Sequence, residues 1–167
     1  MQTMTKDFLQ AAFAGESQAH MKYLIFSDDA EKKGLPQLGR LFRAIAYAEQ
    51  VHATNHFREL GHIHETAANV QSCIDGENFE VTEMYPVYKL AAGFQGEKGA
   101  VRSTHYALEA EKIHEKMYAS AKAVVANGKD LALGPVSICP ICGYTVEGPA
   151  PDLCPVCGAK RETFKVF

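Results

Sequence analysis

The sequence predicts a mainly α chain, a four-helix bundle followed by a small metal-pinned domain, and three observations carry that expectation. Residues 1 to about 128 have only helical periodicity, which Gly and Pro punctuate into four long segments. Within those segments a Glu-x-x-His motif occurs twice, and four of the five cysteines stand in two C-P-x-C-G knuckles near the C-terminus.

The first helix is expected from about Thr5 to Lys33, stopped by Gly34. A second opens with Pro36 in its first turn and closes before Gly61. The third starts near Thr66 or Asn69 and reaches about Ala92. It contains Pro86, whose ring clashes with the carbonyl of Thr82, so a kink is expected there, at about 3 kcal/mol if nothing compensates. The fourth runs from about Glu97 to Asn127, with Gly128 as its stop. The expected organisation is a bundle over residues 1–130, a linker over 131–136 and a cysteine domain over 137–167. A domain of that size is too small to be held by an apolar core and needs its metal to fold.

Composition narrows the function. Seventeen Lys plus Arg against twenty Asp plus Glu give a net charge of −3 without a long run of one sign, which argues against nucleic acid as a partner. The longest apolar run, Ala44 to Ala48, is five residues, far short of the roughly 20 that a bilayer span needs. The first ten residues lack the apolar segment of a signal peptide, so a cytoplasmic location is expected. In such a reducing compartment paired cysteines read as metal ligands, and the lone Cys73 reads as an inert buried thiol.

The bundle carries an internal repeat. Gly-Glu occurs in helix one at Gly15-Glu16 and in helix three at Gly76-Glu77, and Glu-x-x-His occurs in helix two at Glu49 and His52 and in helix four at Glu111 and His114. Glu16 and Glu77 are 61 residues apart; Glu49 and Glu111, like His52 and His114, are 62 apart. The i, i+3 spacing puts each Glu and His on one helix face. Leu9, Ala12 and Phe13 share the stripe of Glu16, Ile45 that of Glu49, and Ala107 and Leu108 that of Glu111, so these carboxylates are expected to point inward. Unpaired buried carboxylates cost several kcal/mol each and repel one another, and two divalent cations would remove that cost. Such a set of Glu with two Glu-x-x-His is the general pattern of ferritin-like dinuclear carboxylate sites.

Glu80, at i+3 from Glu77, adds a fifth carboxylate where the first half has only Ala19. Tyr23 and Tyr85 lie about two turns beyond Glu16 and Glu77, as core tyrosines or as donors to the ligand carboxylates. His20, His56 and His105 have no counterpart in the other half and read as surface or supporting groups. Cys139, Cys142, Cys154 and Cys157 offer tetrahedral sulfur coordination, which suits iron or zinc.

These motifs resemble the rubrerythrin family, over the whole chain. Glu16, Glu49 with His52, Glu77 with Glu80 and the Met-Tyr-Pro at Met84, and Glu111 with His114 are similar to that family's di-iron ligands and their surroundings. The four cysteines are similar to its rubredoxin-like domain, here with a short loop between knuckles and no Trp. The resemblance implies two Fe in the bundle and one Fe on the four cysteines, with Zn as a possible substitute there. It implies a peroxidase that reduces hydrogen peroxide to water in defence against oxidative stress and is re-reduced through the tetra-thiolate iron. It also implies that Glu80 and His52 compete for one iron as the redox state changes. The implied electron donor is a flavoprotein reductase or rubredoxin, supplied ultimately by NAD(P)H. A ferroxidase or iron-storage protein would leave the four-cysteine domain and Glu80 unexplained; a zinc-pinned interaction module would contain no iron.

Assembly follows from chain length. In a ferritin-like bundle helices two and three run parallel, so their connection climbs back along the bundle. With helices ending at Leu60 and starting at Asn69 the span is roughly 26 Å, against about 30 Å for the fully stretched connection, and a start at Thr66 breaks it. A homodimer with exchanged helical hairpins is therefore expected.

Overall fold

The computed structural model describes all 167 residues. Helix α1 spans Thr3–Lys32 and α2 spans Pro36–Glu59. The turn between them closes on Gly34, at φ +76°, a backbone conformation that costs glycine least. Helix α3 covers Thr66–Phe79, α4 covers Tyr85–Phe94 and α5 covers Lys98–Val125. Between α3 and α4, Glu80–Met84 form one π turn in an otherwise continuous helical rod. In the C-terminal domain β1 (Val136–Ile138) pairs antiparallel with β2 (Thr145–Glu147) on one side and β3 (Lys165–Val166) on the other.

Just before Pro86, where the sequence predicts a disturbance, the helix widens into the π turn. The N–H of Tyr85 bonds the carbonyl of Glu80, five residues back, and Pro86 then stands in the first turn of α4, where an absent N–H costs little. The wider turn leaves room for the proline ring, and α4 follows it directly.

Two compact units make up the chain, residues 1–64 and 65–167. In the first, α1 and α2 pack as a hairpin around small residues. Ser27 is fully buried and donates to the carbonyl of Gly39, Ala46 is fully buried, and Phe13 stacks on Phe57 at 5.1 Å. Arg43 donates to the Ser27 hydroxyl and to Glu31. His20, expected at the surface or in support, donates from Nδ1 to the carbonyl of Ala46 at 2.7 Å and pins α1 to α2.

In the second unit α5 packs against α3 and α4, and the four-cysteine domain packs against α5. Linker residues Leu131 and Leu133 line a cleft of about 720 Å³ together with Met117 and Ile138. Cys73 is half-buried beside Tyr118, whose hydroxyl is held protonated by burial above all and by that neighbour. No helix is long and apolar enough to cross a membrane.

Candidate metal centre

Glu16 on α1 and Glu49 and His52 on α2 bring ligand atoms within 4.8 Å of one another. The i, i+3 spacing works as expected: His52 Nδ1 lies 2.9 Å from Glu49 Oε2 and 3.8 Å from Glu16 Oε1. The second unit repeats this with Glu77 on α3 and Glu111 and His114 on α5, again within 4.8 Å, with His114 Nδ1 at 2.6 Å from Glu111 Oε2. Each helical hairpin therefore assembles one Glu, Glu, His set from its own residues.

The inward orientation expected for these carboxylates is only partly realised within either unit. Ile45, one turn before Glu49, is exposed, and the His52 side chain is 54% accessible. Two helices cover one side of each other and leave the rest of a ligand-bearing face open, so a hairpin alone cannot bury it.

The second set bears the electrostatic signature of a cation site. Glu77 Oε2 is buried and has no hydrogen-bond partner. Burial first, then the facing carboxylate of Glu111, pushes the Glu77 carboxyl up to about 7. Glu80 is raised by burial and then by Glu111, while His114 opposes the rise. Tyr85 is raised by burial and by the carboxylates of Glu80, Glu111 and Glu77, which places it in the field of this cluster. An orphaned buried oxygen among like charges is the arrangement that a divalent cation satisfies. Tyr23 instead joins an aromatic group with Phe26 and Phe42, with centroids 6.5 and 6.4 Å away.

Cys139, Cys142, Cys154 and Cys157 form one cluster, mostly buried, with Sγ atoms 3.5 Å apart in the pairs Cys139–Cys157 and Cys142–Cys154. A tetrahedron of sulfurs about 2.3 Å from a metal has edges of about 3.8 Å, so the cage has the right size. The two knuckles match in detail: Gly143 N–H bonds Cys139 O and Gly158 N–H bonds Cys154 O, each at 2.9 Å, with φ of +80° and +74° at the glycines. Burial opposes ionisation of Cys154, but the N–H groups of Cys157 and Val156 prevail and bring its thiol down to about 7. Burial pushes Cys142 and Cys157 up, so a metal is needed to hold all four as thiolates.

One contact had no sequence signal. His114 Nε2 meets the hydroxyl of Thr145, in the four-cysteine domain, at 2.9 Å. The partners are 31 residues apart and belong to segments of different periodicity, so no pattern in the chain announces the pair.

Comparison with known proteins agrees with this geometry. The rubrerythrin family model matches residues 7–122, and the model of the rubrerythrin rubredoxin-like domain matches residues 138–165. Rubrerythrin-2 of Clostridium acetobutylicum is 44% identical, over 98% of this chain and 97% of its own. Nigerythrin of Nitratidesulfovibrio vulgaris is 33% identical over 98% and 86%. The solved structure of nigerythrin in a partially reduced state superposes with a TM-score of 0.56 at 30% identity, over 98% of this chain and 86% of that one. A fully reduced, all-ferrous nigerythrin structure gives the same score and identity. The fold is accordingly ferritin-like, with the Glu and His sets serving a di-iron site and the four cysteines one further iron. A chain matched in both of its parts, and by a relative aligned almost from end to end, belongs to the rubrerythrin family.

Proposed function

We propose that the chain is a peroxidase that reduces hydrogen peroxide to water, with electrons delivered through the rubredoxin-like domain. Membership of the rubrerythrin family supports a peroxide-reducing role in general terms. The observation that carries the finer reading is the pairing of two Glu, Glu, His sets with a four-sulfur cage in one chain. Bound iron would supply the redox chemistry: a di-iron pair would provide the two electrons that reduction of one peroxide needs, and a tetra-thiolate iron would return electrons one at a time.

The chain's own residues set the stage. Glu16, Glu49 and His52 would hold one metal, and Glu77, Glu111 and His114 the other. Glu80 stands three residues from Glu77, in the field of Glu111 and His114; its exchange with His52 as the redox state changes is what the family resemblance implies. His52 is the mobile candidate, because its side chain is 54% accessible and Nε2 has no hydrogen-bond partner. Tyr85, kept protonated by burial and by three carboxylates, is placed to donate to one of them.

A complete site needs both hairpins, and the connection decides how they meet. From His52 to the end of α2 at Glu59 covers about 10 Å, and from the start of α3 at Thr66 to Glu77 about 16 Å. With a lateral step of about 8 to 10 Å, closing one bundle within one chain requires about 28 Å. The seven Cα steps from Glu59 to Thr66 reach at most about 25 Å. Part of that reach is spent at once, since Gly61 N–H bonds Arg58 O and His62 N–H bonds Phe57 O, folding the start of the connection onto α2. A homodimer with exchanged hairpins meets the constraint, each site taking Glu16, Glu49 and His52 from one chain and Glu77, Glu80, Glu111 and His114 from the other.

The test is anaerobic loading with iron followed by peroxide turnover with an external reductant. The expected outcome is three irons per chain, a tetra-thiolate optical spectrum and sustained peroxide consumption. Zinc without iron in protein expressed with iron, or iron uptake without peroxide turnover, would refute the reading.

A further inference from the structure

Of the two histidines in the Glu-x-x-His motifs, only one is held from behind. His114 Nδ1 faces Glu111 Oε2 at 2.6 Å, and its Nε2 meets Thr145 Oγ1 at 2.9 Å. The Thr145 hydroxyl donates its own hydrogen to the carbonyl of Gly143 at 2.9 Å. That oxygen is therefore left to accept, so the hydrogen between the two residues belongs to His114 Nε2. The remaining nitrogen, Nδ1, which a hydrogen joins to Glu111 Oε2 at 2.6 Å, is the one whose lone pair a metal held by Glu77 and Glu111 would take.

The threonine is itself well fixed. It is 4% exposed, lies opposite Ile138 in the β1–β2 pair, and stands two residues after Gly143 of the first knuckle. That knuckle is seated on α5: a Cβ placed on Gly143 would lie 3.5 Å from the Cβ of Ala110, the residue before Glu111, and Tyr106 packs against the cysteine cluster. His114 is correspondingly the more enclosed of the pair, with 30% of its side chain accessible against 54% for His52.

We propose that Thr145 is a positioning residue for the bundle metal, a hydroxyl of the four-cysteine domain that fixes His114 as its Nε2–H tautomer and turns Nδ1 to the carboxylates. This rests on the reading of His114 as a metal ligand. It sets the two halves of the repeat apart, because His52 has no such contact from the four-cysteine domain. It also ties the ligand geometry of the second half to the folding of the cysteine domain, because the brace is in place only when the first knuckle sits on α5.

The experiment is a long-range proton–nitrogen correlation spectrum of the histidines in protein loaded with zinc, together with chelator competition for the bundle metal. The parent is expected to show His114 protonated on Nε2 alone. Thr145→Val removes the acceptor at nearly constant volume and should lose that single tautomer and weaken bundle metal binding about 10- to 100-fold. Thr145→Ser should restore both. A parent spectrum with His114 protonated on Nδ1, or a valine variant with parental affinity and an intact four-cysteine spectrum, would overturn the role. The parent spectrum needs no variant, so it decides the matter even if the valine chain fails to fold. Peroxide turnover enters neither readout, so the failure of the proposed reaction and the failure of this role are separate results.

Discussion

Single side chains divide into those that hold a metal and those that adjust it. Glu111→Ala or His52→Ala should weaken or remove one bundle iron while the tetra-thiolate spectrum persists, because the cysteine cage draws its ligands from a different segment. Iron analysis beside an optical spectrum checks this, and two retained bundle irons in both variants would contradict it. Glu80→Ala should keep both irons and slow peroxide turnover, which stopped-flow kinetics would resolve; unchanged rates would remove Glu80 from the mechanism. At this scale the sequence was informative where chemistry needs a fixed spacing. The i, i+3 pairs and the C-P-x-C-G knuckles could be read because one helical turn or one tight turn brings their ligands together. Thr145 and His20 could not, since their partners, His114 and the Ala46 carbonyl, lie 31 and 26 residues away.

Elements carry the next layer of the argument. Gly34, Gly61 and Gly128 mark helix ends in the chain and adopt positive φ in the structure, so the helix limits were legible to within a few residues. The third helix was less so. Pro86 signalled a disturbance, but the response, a π turn that ends two residues upstream, depends on how the neighbouring turns redistribute their hydrogen bonds. In the proposed function the four-cysteine domain supplies the electrons, and Cys139→Ser separates its contribution from that of the bundle. A pre-reduced variant should still react once with peroxide, yet steady turnover with an external donor should vanish. Equal steady rates in variant and parent would show that electrons reach the bundle by another route.

For the whole molecule the decisive quantity is the length of residues 60–65, which join two hairpins that each hold half of a donor set. Exchange of hairpins between two chains makes a prediction that closed single-chain bundles do not. Glu49→Ala in one chain and Glu111→Ala in another each spoil their own homodimers. Co-expressed, they should form a mixed dimer in which one site carries both substitutions and the other carries neither. Random pairing then restores about a quarter of the sites, read as recovered iron content and peroxide turnover. No recovery in a mixed dimer isolated with two different affinity tags would refute the exchange. Insertion of a dozen or so flexible residues after Gly61 should permit unswapped bundles with intact metal binding, visible by small-angle scattering.

The π turn at Glu80–Met84 also leaves a trace in the numbering of the two half-sequences. Glu16 and Glu77 correspond at an offset of 61, yet Tyr23 and Tyr85, which follow them, correspond at 62, and so do all the later pairs. One residue has been gained between Glu77 and Tyr85, and the wide turn is where the helix accommodates it. The two hairpins are thus copies that diverged by a single codon's worth of backbone, and the surplus lies beside Glu80, the one carboxylate that the first copy lacks.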